Sequence, residues 1–353
     1  MLTEAELAGL ATALAAAGVP VAGPLHASLI SGGRSNLTLR LGDGVHDWVL
    51  RMPPRVGRTP SAHDVAREAR VAGALAATDV PVAAVRLVGT GEAADALLGG
   101  PYTVVDHVAG ATIRTEADLA ARIPVDAHLR DVVAALAATL AQLHRVDPLA
   151  IGLEGFGRPD GYAARQLRRW SGQWEHVGTS DHDDLHARAV ARLGAALPRQ
   201  AATGIVHGDY RIDNTLLAVA PHAPGAGAGA EQEPAVLPRV AAVVDWELST
   251  LGDPVADVAM MVTYRDPAFA LLIADAAWTS PRMPSSADLA AAYGEAGGVE
   301  LVDWDQHLAL AAYKIAIIAA GIAHRHRARG GQGHEAAADA VPVFLERTVE
   351  LLG

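Results

Sequence analysis

The 353-residue chain is 51% hydrophobic and 19% charged, with a formal net charge of −12 at pH 7. That is enough apolar sequence to bury the cores of two lobes or domains, while the acidic balance excludes partners that need a cationic field, so neither nucleic acid nor membrane is expected. No cysteine is present, which excludes disulfides, thiolate catalysis and cysteine metal sites.

In chain order, Thr3-Glu-Ala-Glu6 reads as a capping box ahead of Leu7, Leu10 and Leu14, with Gly18 as a stop, hence an amphipathic helix. It lacks the basic start of a signal peptide, and a cytoplasmic enzyme is expected. Ser31-Gly-Gly-Arg-Ser-Asn36 lies between two alternating apolar stretches; its glycines would let backbone N–H groups approach phosphate oxygens, although a hairpin turn explains them too. Trp48-Val-Leu-Arg51 is extended and ends in a cation. Residues 62–75 form a helix with Val65, Ala69, Ala72 and Leu75 as its apolar stripe, and Glu68 either pairs off this helix or with an arginine on it. Pro101-Tyr-Thr-Val-Val-Asp-His-Val-Ala-Gly110 runs as a strand into a glycine.

From there the pattern turns helical. Val132, Val133, Leu136, Leu140 and Leu143 recur at helical spacing and stop before Asp147-Pro148, with His144 read as a packing residue. In 162–174, Arg165 and Arg169 stand one turn apart beside Arg168, Trp170 and Trp174, either an acceptor surface or a helix packing its tryptophans inward. Asp181, Asp183 and Asp184 read as a solvated loop. Residues 308–323 are the most apolar stretch and are interrupted by Lys314; a buried helix is expected, shorter than the roughly 20 residues of a spanning one. Tyr313, Lys314, His324, Arg325 and His326 could face an acceptor or simply pack. The 15 histidines show no ligand spacing, since His324 and His326 fall on different helix faces.

The densest chemistry lies in His207-Gly-Asp-Tyr-Arg-Ile-Asp-Asn214 and Val243-Val-Asp-Trp-Glu247. Phosphoryl transfer needs a group to accept the acceptor hydroxyl's proton and oxygen ligands to hold magnesium against the phosphates. Asp209 on a tight loop, Asn214 five residues on, and Asp245 at the end of the apolar run 240–244 fit those three jobs. Any one of them alone would read as a turn or capping residue; the ordered set does not. Between them, 219–239 is a low-complexity insert with Pro-Gly-Ala-Gly-Ala-Gly-Ala at 224–230, expected to be a flexible surface loop. Gly252-Asp-Pro-Val-Ala-Asp-Val258 opens a helix with Asp253 near its cap and Asp257 in its first turns.

Together these strings resemble the aminoglycoside phosphotransferase (APH) family of kinase-like enzymes, and Asp245-Trp-Glu-Leu-Ser-Thr-Leu-Gly-Asp-Pro254 resembles the branch found fused to acyl-CoA dehydrogenases. The resemblance implies an α+β, two-lobed protein-kinase-like fold: a small β-rich N-terminal lobe over 1–107 and a large, mainly helical catalytic lobe over 108–353. It implies ATP and Mg2+ as co-substrates and a small-molecule hydroxyl as acceptor. Carried over by position, Gly32, Gly33, Arg34, Ser35 and Asn36 form the nucleotide loop, and Asp106, His107 and Val108 the hinge that meets adenine. Arg51, fixed by Glu68, contacts the phosphates; Asp209 is the catalytic carboxylate; Asn214 and Asp245 are the magnesium ligands; Asp257 braces the catalytic loop. The chain departs from the pattern at Arg51, where the broader kinase family carries a lysine, because Lys314 is its only lysine; arginine can hold phosphate oxygens bidentately. The branch points to a hydroxyacyl thioester such as a 4-hydroxyacyl-CoA as acceptor. An antibiotic kinase acting on aminoglycosides or macrolides, and a kinase-fold protein that binds nucleotide without transfer, are the alternatives. No oligomeric state is implied.

Overall fold

The structure is a computed structural model; it describes residues 2–32, 36–54, 65–220, 236–328 and 334–353. The chain divides into two compact units, one of residues 1–110, 151–153 and 241–249, the other of 111–150, 154–240 and 250–353.

In the first unit, α1 (Glu4–Ala16) starts at the expected capping box, Thr3 and Glu6 each satisfying the other's backbone N–H, and buries Leu10 and Leu14. The strands β1 (His26–Gly32), β2 (Leu37–Gly42) and β3 (Asp47–Met52) follow, then α2 (Val65–Leu75), β4 (Val85–Gly89), α3 (Gly91–Leu98) and β5 (Tyr102–Asp106). The five strands pair antiparallel in the order β1-β2-β3-β5-β4. Alternation along β3 decides its faces: Trp48, Leu50 and Met52 are buried against Leu10, Leu14, Leu39, Leu41 and Val104, which leaves Arg51 on the opposite face. Leu50 is fully buried, so its truncation to alanine costs roughly 2–5 kcal/mol. Thr103 donates its hydroxyl to the Val65 carbonyl at 3.0 Å, tying α2 to that same face.

The second unit contains α4 (Glu116–Arg122), α5 (Asp126–Arg145), α6 (Tyr162–Val177), α7 (Asp183–Ala195), β6 (Gly204–Val206) and β7 (Thr215–Val219). The strand β8 (Val236–Val243) begins in it and ends in the first unit; β9 (Thr250–Gly252), α8 (Pro254–Thr263), α9 (Ser286–Glu295), α10 (Trp304–Ala328) and α11 (His334–Glu350) complete it. The stripe Val132, Val133, Leu136, Leu140 and Leu143 lies on the buried face of α5. The apolar run near the C-terminus is longer than the sequence suggests: α10 has 25 residues, because Trp304 to His307 and His324 to Ala328 extend it at both ends. By length and composition it is the one helix among the described residues able to cross a membrane, and 78% of its most apolar window is buried inside the protein.

A short ladder places the chemistry. Antiparallel β6 and β9 pair Gly204 with Gly252 and Val206 with Thr250, so the loop leaving β6 starts beside the N-terminus of α8. Gly204 is required there: an added Cβ would meet the Pro254 ring at 3.0 Å and the His144 carbonyl at 3.3 Å. Segments 151–153 and 241–249, which the sequence reading placed in the second lobe, belong to the first unit; the Val243 N–H donates to the Pro81 carbonyl at 2.8 Å.

Candidate active site

The loop after β6 is held by its backbone. Asp257 on α8 is wholly buried and accepts the His207 N–H at 2.5 Å and the Gly208 N–H at 2.7 Å, one on each carboxylate oxygen. Its Oδ2 also lies 3.3 Å from His144 Nε2, and His144 Nδ1 lies 2.8 Å from the Tyr293 hydroxyl. Burial by itself would raise the Asp257 pKa, but the His144 side chain, the His207 charge and the Gly208 N–H outweigh it and hold the group below the usual carboxylate range. Asp253 instead caps α8, accepting the Val255 N–H at 3.0 Å. Each acidic residue of this stretch thus takes the job its place on the helix permits.

The Asp209 carboxylate is fixed from two sides. Asn214 Nδ2 donates to its Oδ2 at 2.9 Å and to its backbone carbonyl at 2.7 Å, while the Tyr264 hydroxyl donates to its Oδ1 at 2.5 Å. Burial, and then the Asp209 charge, push the Tyr264 phenol well above its ordinary pKa, so it remains a neutral donor. Arg211 lies 3.5 Å from Asp209 Oδ2 and 3.1 Å from Asp213, stacked over the Tyr264 and Phe269 rings. Asn214 commits its nitrogen in this way and keeps Oδ1 as a hard oxygen donor, the type magnesium selects.

The first unit carries a second constellation. Arg51 Nη1 lies 3.0 Å from Glu68 Oε2, and its Nη2 lies 3.3 Å from Asp245 Oδ1. Glu68 is buried, and burial raises its pKa to about 7 against the opposing pull of Arg51, with Asp245 and Glu247 adding to the rise. Asp245 has φ +66°, a left-handed conformation that is uncommon for a residue other than glycine and clusters at functional sites.

Of the remaining predicted residues, Asn36 is buried and donates to Glu68 at 3.2 Å, its Oδ1 without a partner among the described residues. It is therefore turned to the ion pair of Arg51 in this structure. Gly32 ends β1, and Gly33, Arg34 and Ser35 lie outside the described residues. The Asp106 and His107 N–H groups are taken by Ala84 and Asp47 carbonyls at 2.9 and 3.1 Å, and the Asp106 carboxylate forks onto Arg86 at 2.7 and 2.6 Å. The Val108 N–H has no such backbone partner among the described residues, which makes it the available donor of the three. On α6, Arg165 donates to the Arg158 carbonyl at 2.5 Å, and Trp174 is buried, stacked on His186 and donating to Asp183. Trp170 faces the Lys314 ammonium at 5.8 Å. The insert lies mostly outside the described residues. Sequence reasoning missed Tyr264 and gave no role to Arg211 or His144.

The family model described as the phosphotransferase enzyme family (APH) matches residues 26–226 and 237–310. Mouse acyl-CoA dehydrogenase family member 10 is 31% identical over 93% of the chain, and human acyl-CoA dehydrogenase family member 11 is 30% identical over 83%. The chain spans about a third of these relatives, 29% and 35% of their lengths. Among solved structures, a Ralstonia eutropha protein assigned to the aminoglycoside phosphotransferases aligns with a TM-score of 0.75 at 26% identity, covering 98% of this chain and 97% of that one. Two others show the shared fold alone. Macrolide 2′-phosphotransferase MphH from Brachybacterium faecium aligns with TM-score 0.55, 22% identity and 95% and 98% coverage. A thermostable mutant of aminoglycoside phosphotransferase APH(4)-Ia in ternary complex with AMP-PNP and hygromycin B aligns with TM-score 0.60, 15% identity and 99% and 98% coverage. The fold is accordingly the α+β kinase-like one, with a small antiparallel-sheet part and a helical part.

Proposed function

The chain belongs to the phosphotransferase enzyme family (APH), and from that premise we propose that it transfers the γ-phosphate of ATP, with magnesium, to a hydroxyl of a small molecule in the cytoplasm. One observation carries this reading. Asp209 is a carboxylate pre-oriented by Asn214 and Tyr264 on a loop whose backbone is pinned by buried Asp257, the preorganisation expected of a group that receives an acceptor's proton. That APH(4)-Ia was crystallised with AMP-PNP is in line with a nucleotide donor.

In this reading Asp209 orients the acceptor hydroxyl and takes its proton as the phosphoryl group arrives. Arg51, held by Glu68, steadies the α and β phosphates. The loop at Gly32, Gly33, Arg34, Ser35 and Asn36 covers the phosphates, and the 106–108 backbone meets adenine chiefly through the Val108 N–H. Asn214 and Asp245 offer oxygen donors that fit magnesium; when bound, the ion supplies charge neutralisation of the phosphates. Catalysis then comes mainly from positioning and fixed charge.

For the acceptor we favour a hydroxyacyl thioester such as a hydroxyacyl-CoA. The relatives' place among the acyl-CoA dehydrogenase family members supports it. Antibiotic phosphorylation is the second reading, on the solved neighbours. Magnesium-dependent transfer from γ-labelled ATP to hydroxyacyl-CoAs, with no transfer to aminoglycosides or macrolides, is the expected result; the reverse selectivity would replace the first acceptor with the second.

A further inference from the structure

The only lysine of the chain is buried in the middle of α10, in an otherwise apolar run. A buried ammonium is costly unless something needs it. Its Nζ donates to the Gly208 carbonyl at 2.8 Å, and the Trp170 ring covers it at 5.8 Å. Gly208 has φ +87°, a bend that a side chain would resist, and it immediately precedes Asp209. Its N–H is held by Asp257 Oδ1 at 2.7 Å. The two faces of this one residue are therefore gripped by opposite charges from two helices, α8 on its amide and α10 on its carbonyl. A bend with no side chain of its own to lock it gains its direction from those two bonds.

We propose that Lys314 is a positioning residue for phosphoryl transfer: with Asp257 it clamps the Gly208 peptide groups and so sets where the Asp209 carboxylate points. The proposal rests on the kinase reading of Asp209 for its catalytic consequence, and on the Gly208 geometry alone for the clamp. The charged groups acting on Lys314 agree with it. Burial lowers its pKa, Asp209 and Asp257 oppose that, and Arg169 of α6 adds to the lowering. The two carboxylates favour the charged form against that burial.

A single lysine gives a direct test, because ε-15N-lysine labelling of the full chain yields one side-chain signal. The clamp predicts a slowly exchanging ammonium, shifted from free lysine, whose signal moves in Asp209→Asn. A fast-exchanging signal at the free-lysine position, unmoved by Asp209→Asn, overturns it. Kinetics supply the second arm. Lys314→Met should lower kcat about tenfold or more, the loss of a charge-assisted bond to a positioning carbonyl, with KM for ATP within about twofold. Lys314→Arg, which can donate to the same carbonyl, should recover most of it. A merely structural lysine would lower Tm in both variants and leave the kcat of the folded fraction intact, and that outcome also overturns the proposal. If the wild type phosphorylates no acceptor, the kinase reading falls by itself, and the lysine signal still decides the clamp.

Discussion

Replacing Glu68 by glutamine tests the ion-pair geometry by its pH dependence. Burial displaces this carboxyl from 4.5 to about 7 even with Arg51 at 3.0 Å. At ~1.4 kcal/mol per tenfold change in proton affinity, the displacement amounts to ~3 kcal/mol. The folded state holds the proton more tightly than the unfolded chain, so Glu68 contributes most to stability below pH 4.5, and the contribution is lost as pH rises through about 7. Glutamine mimics the protonated form at every pH. Urea unfolding of Glu68→Gln and wild type at about pH 5 and about pH 8.5 should therefore show near equality at the lower pH. At the higher pH the variant should be more stable by up to about 3 kcal/mol. Transfer activity should fall relative to the wild type at the higher pH, where the wild-type Glu68 is ionised and the variant leaves Arg51 with Asp245 alone of these two carboxylates, and should match it at the lower pH. A variant destabilised equally at both pH values would refute this account of Glu68 and mean that the ionised pair is a net stabiliser.

Other perturbations separate the roles around the loop. Asp257→Asn retains one acceptor oxygen where two serve the His207 and Gly208 amides; urea unfolding should show a loss of about 2–3 kcal/mol, and steady-state kinetics a fall in kcat larger than any change in KM for ATP. Tyr264→Phe removes the hydroxyl from Asp209 Oδ1 and should reduce kcat by about tenfold, with little effect on ATP affinity measured by titration calorimetry. Asp253→Ala removes the α8 cap together with the carboxylate that faces buried His307 at 3.6 Å, so it should cost about 2–3 kcal/mol in thermal unfolding and leave KM for ATP unchanged.

Much of this site could be read from residue order. Asp209, Asn214 and Asp245 could be singled out by residue type and order, whereas the bracing role of Asp257 came with the family resemblance; the short β6–β9 ladder sets the loop beside the start of α8. The sequence left Glu68 open between Arg51 and an arginine on its own helix, and the family resemblance favoured Arg51; in the structure Arg51 stands off the core face, 3.0 Å from Glu68. Tyr264 was harder: it lies seven residues beyond Asp257, two turns along the same face at the C-cap of α8, a spacing that could have marked it. Lys314 was seen as an interruption in an apolar run, but nothing local indicates which carbonyl it meets; only the tertiary packing of α10 on α8 and α6 does. Asn36, expected in the nucleotide loop, also donates to Glu68 at 3.2 Å, a contact between residues far apart in sequence that no local pattern marks.

The central claim is that Asp209 serves phosphoryl transfer from ATP to a small-molecule hydroxyl. Its most direct measurement is magnesium-dependent transfer of labelled γ-phosphate to pooled hydroxyacyl-CoAs and, separately, to pooled aminoglycosides and macrolides, with Asp209→Ala beside the wild type. The account predicts a labelled product in the hydroxyacyl-CoA pool that disappears in the variant. A wild type that binds ATP with magnesium yet labels neither pool, or a variant that labels as well as the wild type, would contradict it.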